Sequence, residues 1–245
     1  VRLHQGKVDI HHHMGLSAFA EYAVVSEHSL VKMPENIPLE IGALFGCAVM
    51  CGAGTVLNTG HVQAGDSVAI IGVGGVGISA VLGAQLASAS RIIAVDTDQR
   101  KLDYAADLGA TDVVLNHDGD AADQIKELTS GGTDFAFETA GTLGGFESAY
   151  NAVRRGGTVV TVGLVDPKTP MTLDIAGLVT SAKTVKGSYM GSCTPAVDIP
   201  RFMALYEQGS FPVEKLISHR LPLSDINLAM DRLANGEARR QILTP

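Results

Sequence analysis

From Val68 to Ala87 the chain runs 20 residues without a charge, and four glycines crowd into its Gly72-Val73-Gly74-Gly75-Val76-Gly77 segment. An unbroken apolar helix of that length would cross a bilayer. The glycine cluster instead marks a tight turn, so the stretch reads as a strand (Ser67–Ile71), a turn and a buried helix (Ile78–Ala87). In that setting the G-x-G-x-x-G pattern has a mechanical meaning. The first glycine permits the turn, the second lets backbone approach a pyrophosphate, and the third lets helix pack closely on strand. The helix N-terminus then faces the phosphate charge. Asp96 closes the next strand 19 residues beyond Gly77, near the ~20-residue spacing at which a carboxylate accepts hydrogen bonds from an adenosine ribose. A carboxylate there also repels a 2′-phosphate, which favours NAD over NADP. Ordinary turn chemistry for the glycines and a helix N-cap role for Asp96 are the alternatives. The agreement of strand, spacing, helix and acid favours the dinucleotide. S-adenosylmethionine methyltransferases pair a similar loop with a strand-end acid, but their sheet usually closes with a reversed hairpin strand.

After Ser67, Val- and Ile-rich runs alternate with helix-period segments, the mark of stacked βαβ units and a parallel sheet. Six strands are expected at Ser67–Ile71, Arg91–Val95, Asp112–Leu115, Asp134–Glu138, Gly157–Val162 and Thr184–Tyr189. Their weak alternation suits strands covered on both faces. Helices are expected at Asp98–Leu108, with Gly109 as its stop, and at Ala121–Thr129 and Thr142–Val153, each followed by a glycine pair. The fold class is α/β, a doubly wound six-stranded parallel sheet of the Rossmann type. The flanks read as parts of a second domain: a strand at Ala20–Ser26, helices at Ile199–Gln208 and Ser224–Asn235, and strands near Leu216–Leu221 and Gln241–Thr244.

Composition narrows the function. With 46% hydrophobic residues over 245 positions the chain buries a real core, and a net charge of -8 argues against a nucleic-acid backbone partner. Nothing in the pattern calls for a membrane span. Three cysteines, Cys47, Cys51 and Cys193, make no disulfide framework and point to a reducing, cytoplasmic setting. The opening Val1-Arg2-Leu3-His4-Gln5 has no Met and no apolar signal region, so the native protein is expected to start upstream. Cys47 and Cys51 form a C-x₃-C that lacks a second pair, and spacing alone reads them as buried, inert thiols. Cys193 lies in a loop and takes no role. Of His11-His12-His13 only His11 and His13 share a face in an extended segment, and neither has a metal-ligand partner nearby.

Several segments together resemble the zinc-containing medium-chain alcohol dehydrogenases: Ile10-His11-His12-His13-Met14-Gly15, Phe19-Ala20-Glu21-Tyr22-Ala23-Val24-Val25, Gly46-Cys47-Ala48-Val49-Met50-Cys51-Gly52-Ala53-Gly54, Gly72–Gly77, Ala94-Val95-Asp96 and Arg240-Gln241-Ile242-Leu243-Thr244. The order of these segments is the most specific part, and it spans essentially the whole chain. The resemblance implies NAD and zinc as cofactors and an alcohol or aldehyde as substrate. It makes Cys47 a catalytic metal ligand. It assigns Gly72, Gly74, Gly75, Val76, Gly77 and Arg240 to the phosphates, Asp96 and Lys101 to the ribose, and Val162, Gly163 and Met190 to the nicotinamide edge. His13 and Met14 would line the substrate pocket. Residues 49–191 would form the NAD-binding domain, and 1–48 with 192–245 the remaining parts of a GroES-like, β-rich catalytic domain. Edge strand Thr184–Tyr189 would pair cofactor domains into a homodimer or homotetramer.

The departures are equally specific. The family's first zinc Cys, its G-H-E zinc His, its proton relay and its frequent four-Cys loop have no counterpart here, so the sequence looks like the carboxyl part of such an enzyme. Cys51 stands where the family usually has Thr. A zinc-independent enone or quinone reductase shares the loop but generally prefers NADPH and lacks the ligand Cys, so Asp96 and Cys47 count against it. A non-catalytic NAD-binding module is the rival from another class.

Overall fold

A computed structural model describes residues 3–11, 16, 18–117 and 119–245. Its centre is a six-stranded sheet in the order β5-β4-β3-β6-β7-β8. The strands are β3 (Ser67–Ile71), β4 (Arg91–Asp96), β5 (Asp112–Leu115), β6 (Thr133–Glu138), β7 (Val153–Thr161) and β8 (Thr184–Gly187). Every neighbouring pair is parallel. Side chains sort by strand period: Val68, Ile70, Ile92, Ala94, Phe137 and Val160 enter one core, while Ala69, Ile71, Ile93, Val95, Ala136 and Val159 enter the other. Both faces are therefore apolar, which is why these strands show no hydrophobic–polar alternation.

Helices α3 (Gly75–Leu86) and α4 (Gln99–Asp107) cover the first face through Ile78, Val81, Leu82 and Leu102. Helices α5 (Ala121–Thr129) and α6 (Leu143–Ala152) cover the second through Ile125, Phe146 and Ala149. The sheet is doubly wound, and strand order reverses around β3 between β4 and β6. Ligands in such sheets bind beyond the carboxyl ends of the strands at that switch point. α7 (Ile175–Ser181) precedes β8, and its Ile175 and Val179 are exposed.

A helix spanning Leu39–Gly60 packs on the first face. It opens as α1 (Leu39–Leu44), widens to π-type turns at Phe45–Val49, narrows to α2 (Met50–Gly54), and widens again at Thr55–Gly60. It is long and apolar enough to cross a membrane, yet 67% of its most apolar window is buried inside the protein. A core helix explains the same composition. Close contact with α3 is made possible by Gly83, where a Cβ would stand 2.8 Å from Ala53 Cα. The domain boundary expected at residue 48 falls inside this helix.

The flanks are small. β1 (Leu3–Gln5) and β2 (Val8–Ile10) form an antiparallel hairpin. α8 (Pro195–Glu207) begins four residues before the expected helix, with Pro195 at its first position, where a missing N–H costs nothing. β9 (Ile217–Pro222) and β10 (Arg240–Thr244) pair in parallel around α9 (Ile226–Ala234). The strand expected at Ala20–Ser26 is not formed. Its residues are almost all exposed and have no ladder partner among the described residues, so solvent rather than a neighbouring strand takes its backbone groups.

Candidate dinucleotide and thiol site

The loop between β3 and α3 has the geometry its glycines imply. Gly72 adopts φ +92, and a Cβ there would lie 2.8 Å from Ala140 Cα. Nothing lies within 4 Å of a Cβ built at Gly74, so the backbone is open on that side. Gly77 abuts the Gly72 carbonyl and Thr139 Oγ1, which itself donates to Gly72 O at 2.5 Å and Ile71 O at 3.1 Å. α3 therefore starts at Gly75 with its first N–H groups directed beyond the strand ends.

Asp96 ends β4 and organises this loop. Its carboxylate accepts from Val73 N at 2.9 Å, Thr97 N at 2.8 Å and Asp98 N at 3.1 Å, and Lys101 Nζ stands 3.7 Å away. The N-cap alternative resolves onto a neighbour. Asp98 caps α4, accepting from Arg100 N at 2.9 Å and from the Arg100 guanidinium.

Two cavities border the glycine loop, and Asp96 lines the smaller of the two. One, of about 500 Å³, lies between Val73, Gly74, Gly75 and Val76 on one wall and Asp98, Arg100 and Lys101 with residues 236–240 on the others. The second, of about 310 Å³, is lined by Gly72, Asp96, Thr97, Asn116, Ala140 and Thr142. Over the first stands Arg240, whose Nε is 2.6 Å from where a Gly75 Cβ would sit. That Nε is buried without a partner, and burial pulls the guanidinium below its ordinary pKa. An unsatisfied guanidinium N–H beside a helix N-terminus is a pair of features an anion would complete. The residues present fit a dinucleotide.

Arg240 also lines a third cavity, about 410 Å³, with Phe19, Leu44, Cys47, Ile242 and Leu243. Cys47 is exposed there, on the first π-type turn of the long helix, while Cys51 one turn on is buried. Cys47 is thus not the buried thiol that its spacing alone suggested. A hydrogen bond with Cys47, then burial, raises the Cys51 pKa. Cys193 is pushed up to about 11 by burial, and its sulfur receives Asn58 Nδ2 at 3.3 Å. Among the described residues no group of three or more His, Cys, Asp or Glu could hold a metal ion. Catalytic zinc takes about three protein ligands, so the described residues, with one thiol facing the cavity, do not make a zinc site by themselves. His13 and Met14 lie outside the described residues.

The expected nicotinamide-edge residues follow the next strands. Val162 N donates to Glu138 O at 2.9 Å, and a Cβ on Gly163 would stand 2.7 Å from Glu138 Oε2. Met190 takes a left-handed backbone, φ 52, two residues before Ser192 at φ 51. This strained turn is held by hydroxyls that sequence reading missed. Thr55 bonds Ser188 at 2.8 Å, and Thr59 bonds Ser188 at 2.7 Å and Ser192 at 2.8 Å. Thr59→Val removes one of the two hydroxyl partners of Ser188 and the tie to Ser192, and should cost about 0.5–1.5 kcal/mol, read as a lower urea midpoint at unchanged slope. Glu138, Tyr104 and Arg239 were missed as well. The Thr55/Thr59 i,i+4 spacing on an apolar helix was the one legible hint.

Comparison with known proteins follows the same lines. The family profile of zinc-binding dehydrogenases matches residues 75–208, more than half of the chain. The chain belongs to the zinc-binding dehydrogenase family. It is 36% identical to an S-(hydroxymethyl)glutathione dehydrogenase of Saccharomyces cerevisiae, covering 99% of this chain and 64% of that protein. It is 38% identical to an NDMA-dependent alcohol dehydrogenase of Amycolatopsis methanolica, of which it covers 66%, with 99% of this chain matched. The crystal structure of benzyl alcohol dehydrogenase from Acinetobacter calcoaceticus superposes with TM-score 0.88 at 34% identity, over 93% of this chain and 63% of that one. The chain thus spans about two thirds of the length of these relatives. Its sheet is the Rossmann-like sheet of those structures.

Proposed function

We propose that this protein transfers a hydride between an alcohol and NAD, giving an aldehyde or ketone reversibly. The observation that carries the cofactor half is Arg240: its buried, unpartnered Nε lies over the N-terminus of α3, in a cavity bordered by Lys101, which stands 3.7 Å from Asp96. The Gly74, Gly75 and Val76 backbone would hold the pyrophosphate with Arg240, and Gly72 and Gly77 would keep strand and helix close enough to do so. Asp96 and Lys101 would hold the adenosine ribose. Val162, Gly163 and Met190 would border the nicotinamide. Bound NAD supplies a hydride acceptor at its ring, and the protein supplies orientation and electrostatics.

The alcohol half rests on the relatives, two of which are named alcohol dehydrogenases. Cys47 is the residue we assign to the metal, facing a cavity that Arg240 shares with the dinucleotide side. One thiol does not hold zinc by itself. For self-association we propose the outer edge of β8, which among the described residues pairs with β7 alone; Val185 on it and Tyr189 just beyond it are exposed. An open strand edge is a template for a second chain.

The test is NAD⁺ reduction by a primary alcohol, followed by absorbance of the nicotinamide, with and without a zinc chelator. Turnover that the chelator stops supports the full reading. NADH binding without turnover points to a binding module, and turnover of an enone with NADPH to a reductase.

A further inference from the structure

The lip of the dinucleotide cavity, residues 233–240, carries a second guanidinium that the proposed function leaves unused. Arg239 lies over the ring of Tyr104, its guanidinium carbon 3.7 Å from the ring centroid. Tyr104 is on α4, three residues beyond Lys101 and therefore on the same face of that helix. Gly236, at φ +69, passes beside the same face, with Lys101 Nζ 3.8 Å from where its Cβ would be.

The backbone of the lip is fixed at two other points. Arg239 N donates to Ser218 Oγ at 3.1 Å, and Ser218 Oγ donates to Arg240 O at 3.0 Å, tying the start of β10 to β9. Arg239 O approaches within 3.1 Å of the Gly75 Cβ position, and Arg240 Nε within 2.6 Å. The lip thus rests on β9 through Ser218, on the glycine loop through Arg240, and on α4 through Arg239. Arg239 Nε and Tyr104 Oη are both buried without hydrogen-bond partners. The attraction between the guanidinium and the ring face holds the contact, with a smaller contribution from the pull of Arg239 on the Tyr104 hydroxyl, and the ring-face attraction strengthens as water is excluded.

We infer that Arg239 is a positioning residue: stacked on Tyr104, it clasps the lip to α4 and so sets Arg240 over the α3 N-terminus. The inference rests on the dinucleotide reading of this cavity. The competing role for Arg239 is direct contact with a phosphate, in which Tyr104 would be a bystander. The two roles part at Tyr104.

The experiment is a double-mutant cycle on NADH affinity, by fluorescence titration of the 245-residue chain, with the melting temperature of each variant alongside. Arg239→Ala and Tyr104→Leu are each expected to weaken NADH by about tenfold, and the double variant by no more than either alone. Tyr104→Phe keeps the ring and is expected to stay within about twofold of the parent, while Arg239→Lys recovers part of the loss. Full affinity in Tyr104→Leu, additive losses, or lower melting temperatures at unchanged affinity would each overturn the clasp. Should Tyr104→Leu not fold, the salt dependence of NADH affinity in Arg239→Ala decides. The clasp predicts the parent slope, and a shallower slope means that Arg239 touches phosphate. If the parent chain itself binds no NADH, the dinucleotide reading falls and the clasp with it. If it binds, the outcomes above bear on the clasp alone.

Discussion

Gly77→Val is expected to reduce NADH affinity by on the order of a hundredfold and to destabilise the fold by about 1–3 kcal/mol, the usual cost of forcing atoms into a packed contact. The reason is what a side chain would meet. A Cβ at Gly77 falls on the Gly72 carbonyl and 2.9 Å from Thr139 Oγ1. The first is backbone of the loop that follows β3, and the second is locked by its own bonds to Ile71 and Gly72. Neither can swing aside as the tip of a long side chain would. α3 must then move off β3, carrying the Gly75 and Val76 N–H groups away from the phosphate position. Calorimetric titration and a urea melt of the same variant check both halves. Undiminished affinity would show that close packing at the third glycine does not set the phosphate site.

Asp96→Ala is expected to shift cofactor preference from NADH toward NADPH by about a hundredfold. The hydrogen bond from the 2′-hydroxyl, which NADPH lacks, to a charged acceptor is worth roughly 1.5–3 kcal/mol, and the repulsion against a 2′-phosphate disappears with it. The structure adds a qualification that spacing could not reveal. Asp96 also accepts three backbone N–H groups, from Val73, Thr97 and Asp98. Its loss loosens the glycine loop for both cofactors, so the ratio of the two affinities is the informative quantity. Lys101 and Arg100 remain on the cavity wall to receive the extra phosphate. Equal losses for NADH and NADPH would reduce Asp96 to a loop-shaping residue.

The sheet was legible because its chemistry is local. Runs such as Val68-Ala69-Ile70-Ile71 are apolar on both faces, and glycines at positive φ, such as Gly72 and Gly109, punctuate them. The glycine loop and Asp96 were legible through spacing. Ends were harder: Pro200 lies inside α8, so a helix start near it read too late. Ala20–Ser26 has strand composition but no neighbour to pair with among the described residues, and propensity cannot supply one. The Thr55–Ser188 and Arg239–Tyr104 contacts join residues more than a hundred positions apart, beyond any periodicity. Cys47 became a metal candidate through family resemblance, and the structure adds that it faces a cavity beside Arg240.

The most direct measurement is a calorimetric titration of the chain with NADH and, separately, NADPH. The account predicts saturable binding of one NADH per chain, weakened strongly by Arg240→Ala, with NADPH weaker by at least about tenfold because of the Asp96 carboxylate. No NADH binding, or NADPH bound as tightly as NADH, would contradict it.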